Sequence, residues 1–224
     1  MKQGMGYHAL FVLAGIFLVP GLIGTGYAAC AQIFSAGGMG RNGWMFLAGI
    51  GLYLVIHLFL YKPITVHVFG HEMTHVLWAW LFGGEVKQFR ASRDGGRVIV
   101  TKTNFLIRLA PYFFPLYSIA AVCVYGLVAL IAGHHRWFIY LVFVLGFCTG
   151  FHICMTSYSL RAVQTDLTVS GYFFSILFIL IMNIILLVLL LSIVIESISF
   201  VEFLQDSFMK TAYIYSRIFK AVTE

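Results

Sequence analysis

The run His71-Glu72-Met73-Thr74-His75 places two imidazoles four residues apart with a carboxylate immediately after the first. On a helix, positions i and i+4 share a face, so both rings can converge on one metal ion. Two imidazoles so placed can hold a single Zn²⁺ at about 2.0–2.1 Å each. Glu72 sits about 100° round the helix from His71, because a turn takes 3.6 residues. From there it can serve as a general base toward a water activated by the metal and return the proton to a leaving amine.

A catalytic zinc takes three protein ligands and keeps one position open. The third ligand must come from elsewhere in the chain. The remaining acids are Glu85, Asp94, Asp166, Glu196, Glu202, Asp206 and Glu224. Asp166 is the best placed, because the span before it should return to the face where the His71–His75 helix ends. His152, inside that same span, is the other candidate, and either residue could complete the site. His67 lies one turn before His71 and shares its face, as a hydrogen-bond partner behind a ligand or as lining of a water path. His152 is also a candidate donor to a tetrahedral intermediate, and Gln164 could orient a ligand. His134-His135-Arg136 is poorly spaced for one metal and reads as a solvated loop.

The elements that must position these groups follow from composition. Of 224 residues, 61% are hydrophobic and 10% charged, with a mean hydropathy of +0.96. Soluble domains carry about 25% charged residues. So few charges cannot cover a globular surface, but lipid can solvate such a chain. The expectation is an all-α polytopic membrane protein folded as one domain over residues 1–224. The net charge of +6 sits in loops between apolar runs, where headgroups account for it. Nucleic acid is not an expected partner. Cys30, Cys123, Cys148 and Cys154 lie in apolar stretches without C-x-x-C spacing and read as small hydrophobes.

With about 20 apolar residues needed per crossing, about six spans are expected. They cover 7–33 (with a kink at Pro20-Gly21), 43–61, 64–83, 104–132 (with Pro111 and Pro115), 137–158, and a last one that follows Ser159–Thr168 and ends near 197. The first is too long for the apolar region of a signal peptide and reads as a retained span. The third carries the H-E-x-x-H run and ends at Gly83-Gly84. Residues 85–103 break the pattern. Asp94-Gly95-Gly96 is a turn signal and Arg97–Thr101 alternates, so a small β-hairpin is expected there. Residues 198–224 have the pattern of an amphipathic helix at the membrane interface. The hairpin's Lys87, Arg90, Arg93, Arg97 and Lys102 weight its face toward the cytosol, with both termini on the other side.

A membrane helix bearing H-E-x-x-H, a Gly-Gly exit, a basic hairpin and an aspartate two spans later together resemble the site-2 protease family of intramembrane zinc metalloproteases. The resemblance covers roughly 64–180. It implies one Zn²⁺ per chain, held by His71, His75 and Asp166, with Glu72 as general base. It also implies that the hairpin guides membrane-protein or peptide substrates in the lipid bilayer, and that the host membrane is a bacterial cytoplasmic membrane. One departure stands out: the family often carries its aspartate as Asp-Gly after Asn-Pro, whereas this chain reads Gln164-Thr165-Asp166-Leu167, which resembles a divergent, compact branch. Two other readings of the residues are a metal-ion transporter, since membrane histidines and acids also line ion pathways, and an inactive relative that scaffolds membrane partners. Substrate, trigger and oligomeric state are not legible.

Overall fold

Glycine and proline punctuate a chain that is otherwise helix, and they decide where its site-bearing elements begin and end. The computed structural model describes residues 2–132, 137–161 and 165–224. In order, these form α1 (Lys2–Ser35), α2 (Gly40–Val55, continued by a π-helical turn Ile56–Leu60), α3 (Ile64–Leu81), β1 (Val86–Ser92) and β2 (Gly95–Val100). The rest are α4 (Phe105–Phe113), α5 (Leu116–Ala132), α6 (Phe138–Ser159), α7 (Thr165–Val169), α8 (Tyr172–Val194) and α9 (Phe200–Thr223).

Four of these helices are long and apolar enough to cross a membrane: Ala9–Ser35, Gly40–Leu60, Phe138–Ser159 and Tyr172–Val194. A fifth is reached if α4 and α5 count as one broken span. The expectation of about six spans is therefore met only in its coarser form. α3 is not among the four, because His67, His71, Glu72 and His75 dilute the hydropathy of its 18 residues. The stretch expected as one span over 104–132 is two helices bent by 73°. Pro115 disfavours the helical region for the residue before it, and Phe114 is extended at φ −81°, ψ 109°. α1, by contrast, runs unbroken through Pro20.

The chain divides into two compact units. One comprises residues 1–39 and 165–224. Within it α8 runs parallel to α1. Phe11 meets Phe174 edge-on at 5.0 Å near one end, and Ser197 Oγ donates to the Ala36 carbonyl at 3.0 Å at the other. α9 then turns back along α1. Its start is capped by the Ser199 hydroxyl, which accepts from Glu202 N at 3.3 Å, while Ser199 N donates to Gln32 Oε1 at 3.3 Å. Further along, Gly24 faces Thr211, and the Tyr215 hydroxyl donates to the Phe17 carbonyl.

The other unit, residues 40–164, carries the H-E-x-x-H run. Its α2 and α6 pack backbone to backbone. A Cβ on Gly49 would run into the Phe143 carbonyl oxygen, and one on Gly146 into that of Phe46. Small residues bring membrane helices together in this way, where dispersion between backbones replaces the hydrophobic effect. Gly146→Ala is therefore expected to destabilise the protein by about 1–3 kcal/mol through overpacking. Gly51→Ala, in the same α2 but with nothing within 4 Å, should stabilise by about 0.4–1 kcal/mol. Thermal unfolding midpoints in detergent, compared between the two variants, check the opposite signs. Below this contact Tyr53, Phe151 and Met155 form a buried cluster joined by Ile64, Phe147, Cys154 and Tyr117.

The hairpin expected over 85–103 is present as an antiparallel pair with Phe89 opposite Val98, Arg90 opposite Arg97, and Ala91 opposite Gly96. Ser92 pairs with Gly95, so the turn falls on Arg93-Asp94, slightly earlier than the Asp94-Gly95-Gly96 signal places it. Gly95 takes φ 136°, a conformation open to glycine. Thr101 closes the open end, donating from its amide to the Glu85 carbonyl (3.0 Å) and accepting from Glu85 N on its hydroxyl (2.9 Å).

Candidate metal centre

Glycines fix α3 at its C-terminal end and at its middle. Its C-terminus closes with Gly83 at φ 68°, Gly83 N donating to Trp80 O (2.9 Å) and Gly84 N to Ala79 O (2.8 Å). This pair of bonds satisfies carbonyls that the helix end would leave without partners. In the middle, Gly70 admits the ring of Tyr117, whose hydroxyl donates to the Val66 carbonyl at 2.6 Å. The helix thus presents His67, His71 and His75 along one side, with ring centroids 6.0 Å and 5.0 Å apart in succession.

Each imidazole has a distinct setting. His75 Nδ1 lies 2.8 Å from the Ile107 carbonyl. A carbonyl only accepts, so Nδ1 carries the proton and Nε2 carries the lone pair a metal needs. Carbonyl partners of this kind orient histidine ligands in metal sites generally. His71 packs edge-on against the buried Tyr112 at 5.2 Å. His67 shares a hydrogen bond between its Nε2 and Ser159 Oγ at 2.6 Å, which ties α3 to the end of α6.

Among the described residues, His71, His75 and Asp166 form a group that could hold a metal ion. Each offers one ligand atom, and these atoms lie within 4.8 Å of one another. The donor set, two imidazoles and one carboxylate, suits a divalent first-row ion. His152 is not in that group. It lines a cavity of about 20 Å³ together with His67, His71, Thr74, Tyr117 and Pro111, large enough for about one water. Glu72 is buried, at 9% exposure. Gln164 and His134-His135-Arg136 lie outside the described residues.

Several groups around the site escape a reading by motif. The Ile107 carbonyl and Ser159 carry no sequence signal for their roles. Asn104 does carry one: a polar residue directly before Phe105-Leu106-Ile107 is an N-cap pattern. Its Oδ1 accepts from Ile107 N at 2.8 Å, so the residue whose amide Asn104 caps, Ile107, is also the partner of His75. Asn104→Ala should cost about 1 kcal/mol of stability as a lost cap. It should also weaken metal binding by less than about tenfold, below the 10–100-fold typical of removing a direct hydrogen-bond partner of a ligand. Unfolding and metal titration of the same purified variant measure both effects.

Compared with known protein families, curated proteins and solved structures, the chain matches none of them.

Proposed function

We propose that this chain is an intramembrane zinc metalloprotease that hydrolyses peptide bonds in or near the membrane-spanning segments of other proteins. The observation that carries the reading is the convergence of His71, His75 and Asp166 with a buried carboxylate, Glu72, next in chain to the first of them. Three protein ligands, two of them imidazoles, are what a catalytic zinc takes, leaving a coordination position for substrate or water. Ionisable groups are rare in chains this apolar and mark function where they gather.

Zinc bound there would act as a Lewis acid on a scissile carbonyl and make water a nucleophile near neutral pH. The chain's own residues divide the remaining work. Ile107 holds His75 in the tautomer that presents Nε2. Glu72 takes the proton from the attacking water and returns it to the departing amine. The cavity beside His71 and His152 is a place from which water can reach the site. A substrate helix has its amides bonded internally, so it must be unwound before attack, and an extended segment could be received by the hairpin. The hairpin's basic residues favour a cytosolic face in a bacterial cytoplasmic membrane.

The test has two arms. Elemental analysis of the purified protein should give about one zinc per chain, as a three-ligand site implies. Membranes carrying the wild type should accumulate new N-termini inside spanning segments that membranes carrying Glu72→Gln lack. A folded wild type without zinc, or identical N-termini in both membranes, would remove the reading.

A further inference from the structure

The hairpin rests on the general base. α3 presents Phe69 and Glu72 three residues apart, hence on neighbouring positions of one face. Phe89 of β1 meets Phe69 edge-on at 5.9 Å. In a strand, alternate residues share a face, so Phe89 and Ala91 lie on the same side of β1, and their cross-strand partners Val98 and Gly96 lie on that side of β2. This face has bulk at 89 and 98 and almost none at 91 and 96. The gap falls over the catalytic helix. A Cβ built on Gly96 would lie 2.6 Å from Glu72 Cδ, and closer still to Cγ and Oε1.

The need for glycine here is spatial. Gly95, beside it, has φ 136° and nothing within 4 Å of an added Cβ. Gly96 has no such backbone conformation, and the three atoms nearest to a Cβ built on it all belong to the Glu72 side chain. Glycine at 95 shapes the turn, whereas glycine at 96 makes room for a carboxylate. An alanine at 96 would have to push that carboxylate into another rotamer or lift β2 from α3.

We propose that Gly96 is a positioning residue: the bare backbone of β2 at this point is the wall that sets the orientation of the Glu72 carboxylate. The proposal rests on the protease reading and adds to it a role for the hairpin other than receiving substrate. It makes the docked hairpin part of the proton-transfer apparatus, so that movement of β2 and orientation of the base are one event.

The experiment uses the full-length protein in lipid nanodiscs, loaded with zinc, with acetohydroxamate as probe. A hydroxamate chelates a catalytic metal and passes its hydroxyl proton to the neighbouring base, so its affinity reports where that base stands. Gly96→Ala is expected to keep its zinc yet bind acetohydroxamate at least about tenfold more weakly, a loss of some 1.4 kcal/mol. Gly95→Ala, which strains the turn without touching Glu72, should keep both zinc and probe affinity within about threefold. Equal losses in the two variants would mean that only hairpin integrity matters, and unchanged affinity in Gly96→Ala would mean that the contact is idle. Either result overturns the proposal. If Gly96→Ala does not fold, the pair Glu72→Cys and Gly96→Cys, in a background lacking Cys30, Cys123, Cys148 and Cys154, supplies the second measurement. Disulfide closure in native membranes supports the contact, and failure to close overturns it. Absence of zinc from the wild type would sink the protease reading and this proposal together. Zinc retained with unaltered probe binding sinks this proposal alone.

Discussion

Glu72→Gln is expected to leave about one zinc per chain and to slow peptide-bond cleavage by about 10²–10⁴-fold, the usual contribution of a general acid–base group. Glutamine keeps the length and shape of the side chain and nearly the same helix propensity. The substitution therefore removes the charge and the ability to take up a proton while keeping a side chain of the same size against Gly96. The candidate ligands His71, His75 and Asp166 are untouched, which predicts the separation of metal content from activity. Both are read on one preparation, as zinc by elemental analysis and cleavage as the rate at which new N-termini appear within spanning segments in proteoliposomes. A variant that cleaves like the wild type would show that Glu72 is not the base. A variant that loses its zinc would mean instead that the carboxylate helps to hold the metal.

What could be read from the sequence and what could not divides along a physical line. Local features were legible because nearest neighbours along the chain produce them. The helix carrying His71 and His75 follows from their spacing, its end from Gly83-Gly84, and the strands at 86–92 and 95–100 from their alternation and glycine turn. Apolar run length located the helices long and apolar enough to cross a membrane, of which four qualify among the described residues, or five with the bent pair, against about six expected. α3 carries too many polar residues to qualify by composition, and Pro115 bends α4 against α5 by 73°. Proline signals a break without saying how sharply the chain turns. Two groups against the site were not legible, because one is a backbone carbonyl and the other a bare glycine brought close by the fold. The Ile107 carbonyl orients His75 across 32 residues of sequence, and no side-chain pattern marks a carbonyl. Gly96 stands in a turn-rich segment where glycine is already explained by the hairpin, so its second role shows only when Glu72 is seen beneath it.

The identity of the third ligand sets the other large expected effect. His71→Ala, His75→Ala and Asp166→Ala should each weaken zinc binding by more than about 100-fold, beyond the 10–100-fold that loss of a partner behind a ligand costs. His152→Ala should leave about one zinc per chain, because His152 is outside the group whose ligand atoms fall within 4.8 Å and lines the neighbouring cavity instead. The contrast between Asp166 and His152 carries the argument. A carboxylate beside two imidazoles completes a three-ligand site with one position open, as in zinc peptidases with a His₂-carboxylate set. A third histidine from α6 would also complete a three-ligand site, but it would remove His152 from the cavity wall and leave Asp166 without a role at the metal. Competition against a chelator of known zinc affinity, run on all four variants, separates the two. Zinc lost with His152→Ala and kept with Asp166→Ala would move the third ligand to α6. If both variants lose it, His152 belongs to the metal site as well, and the cavity it lines is part of the coordination sphere and not a water pocket beside it.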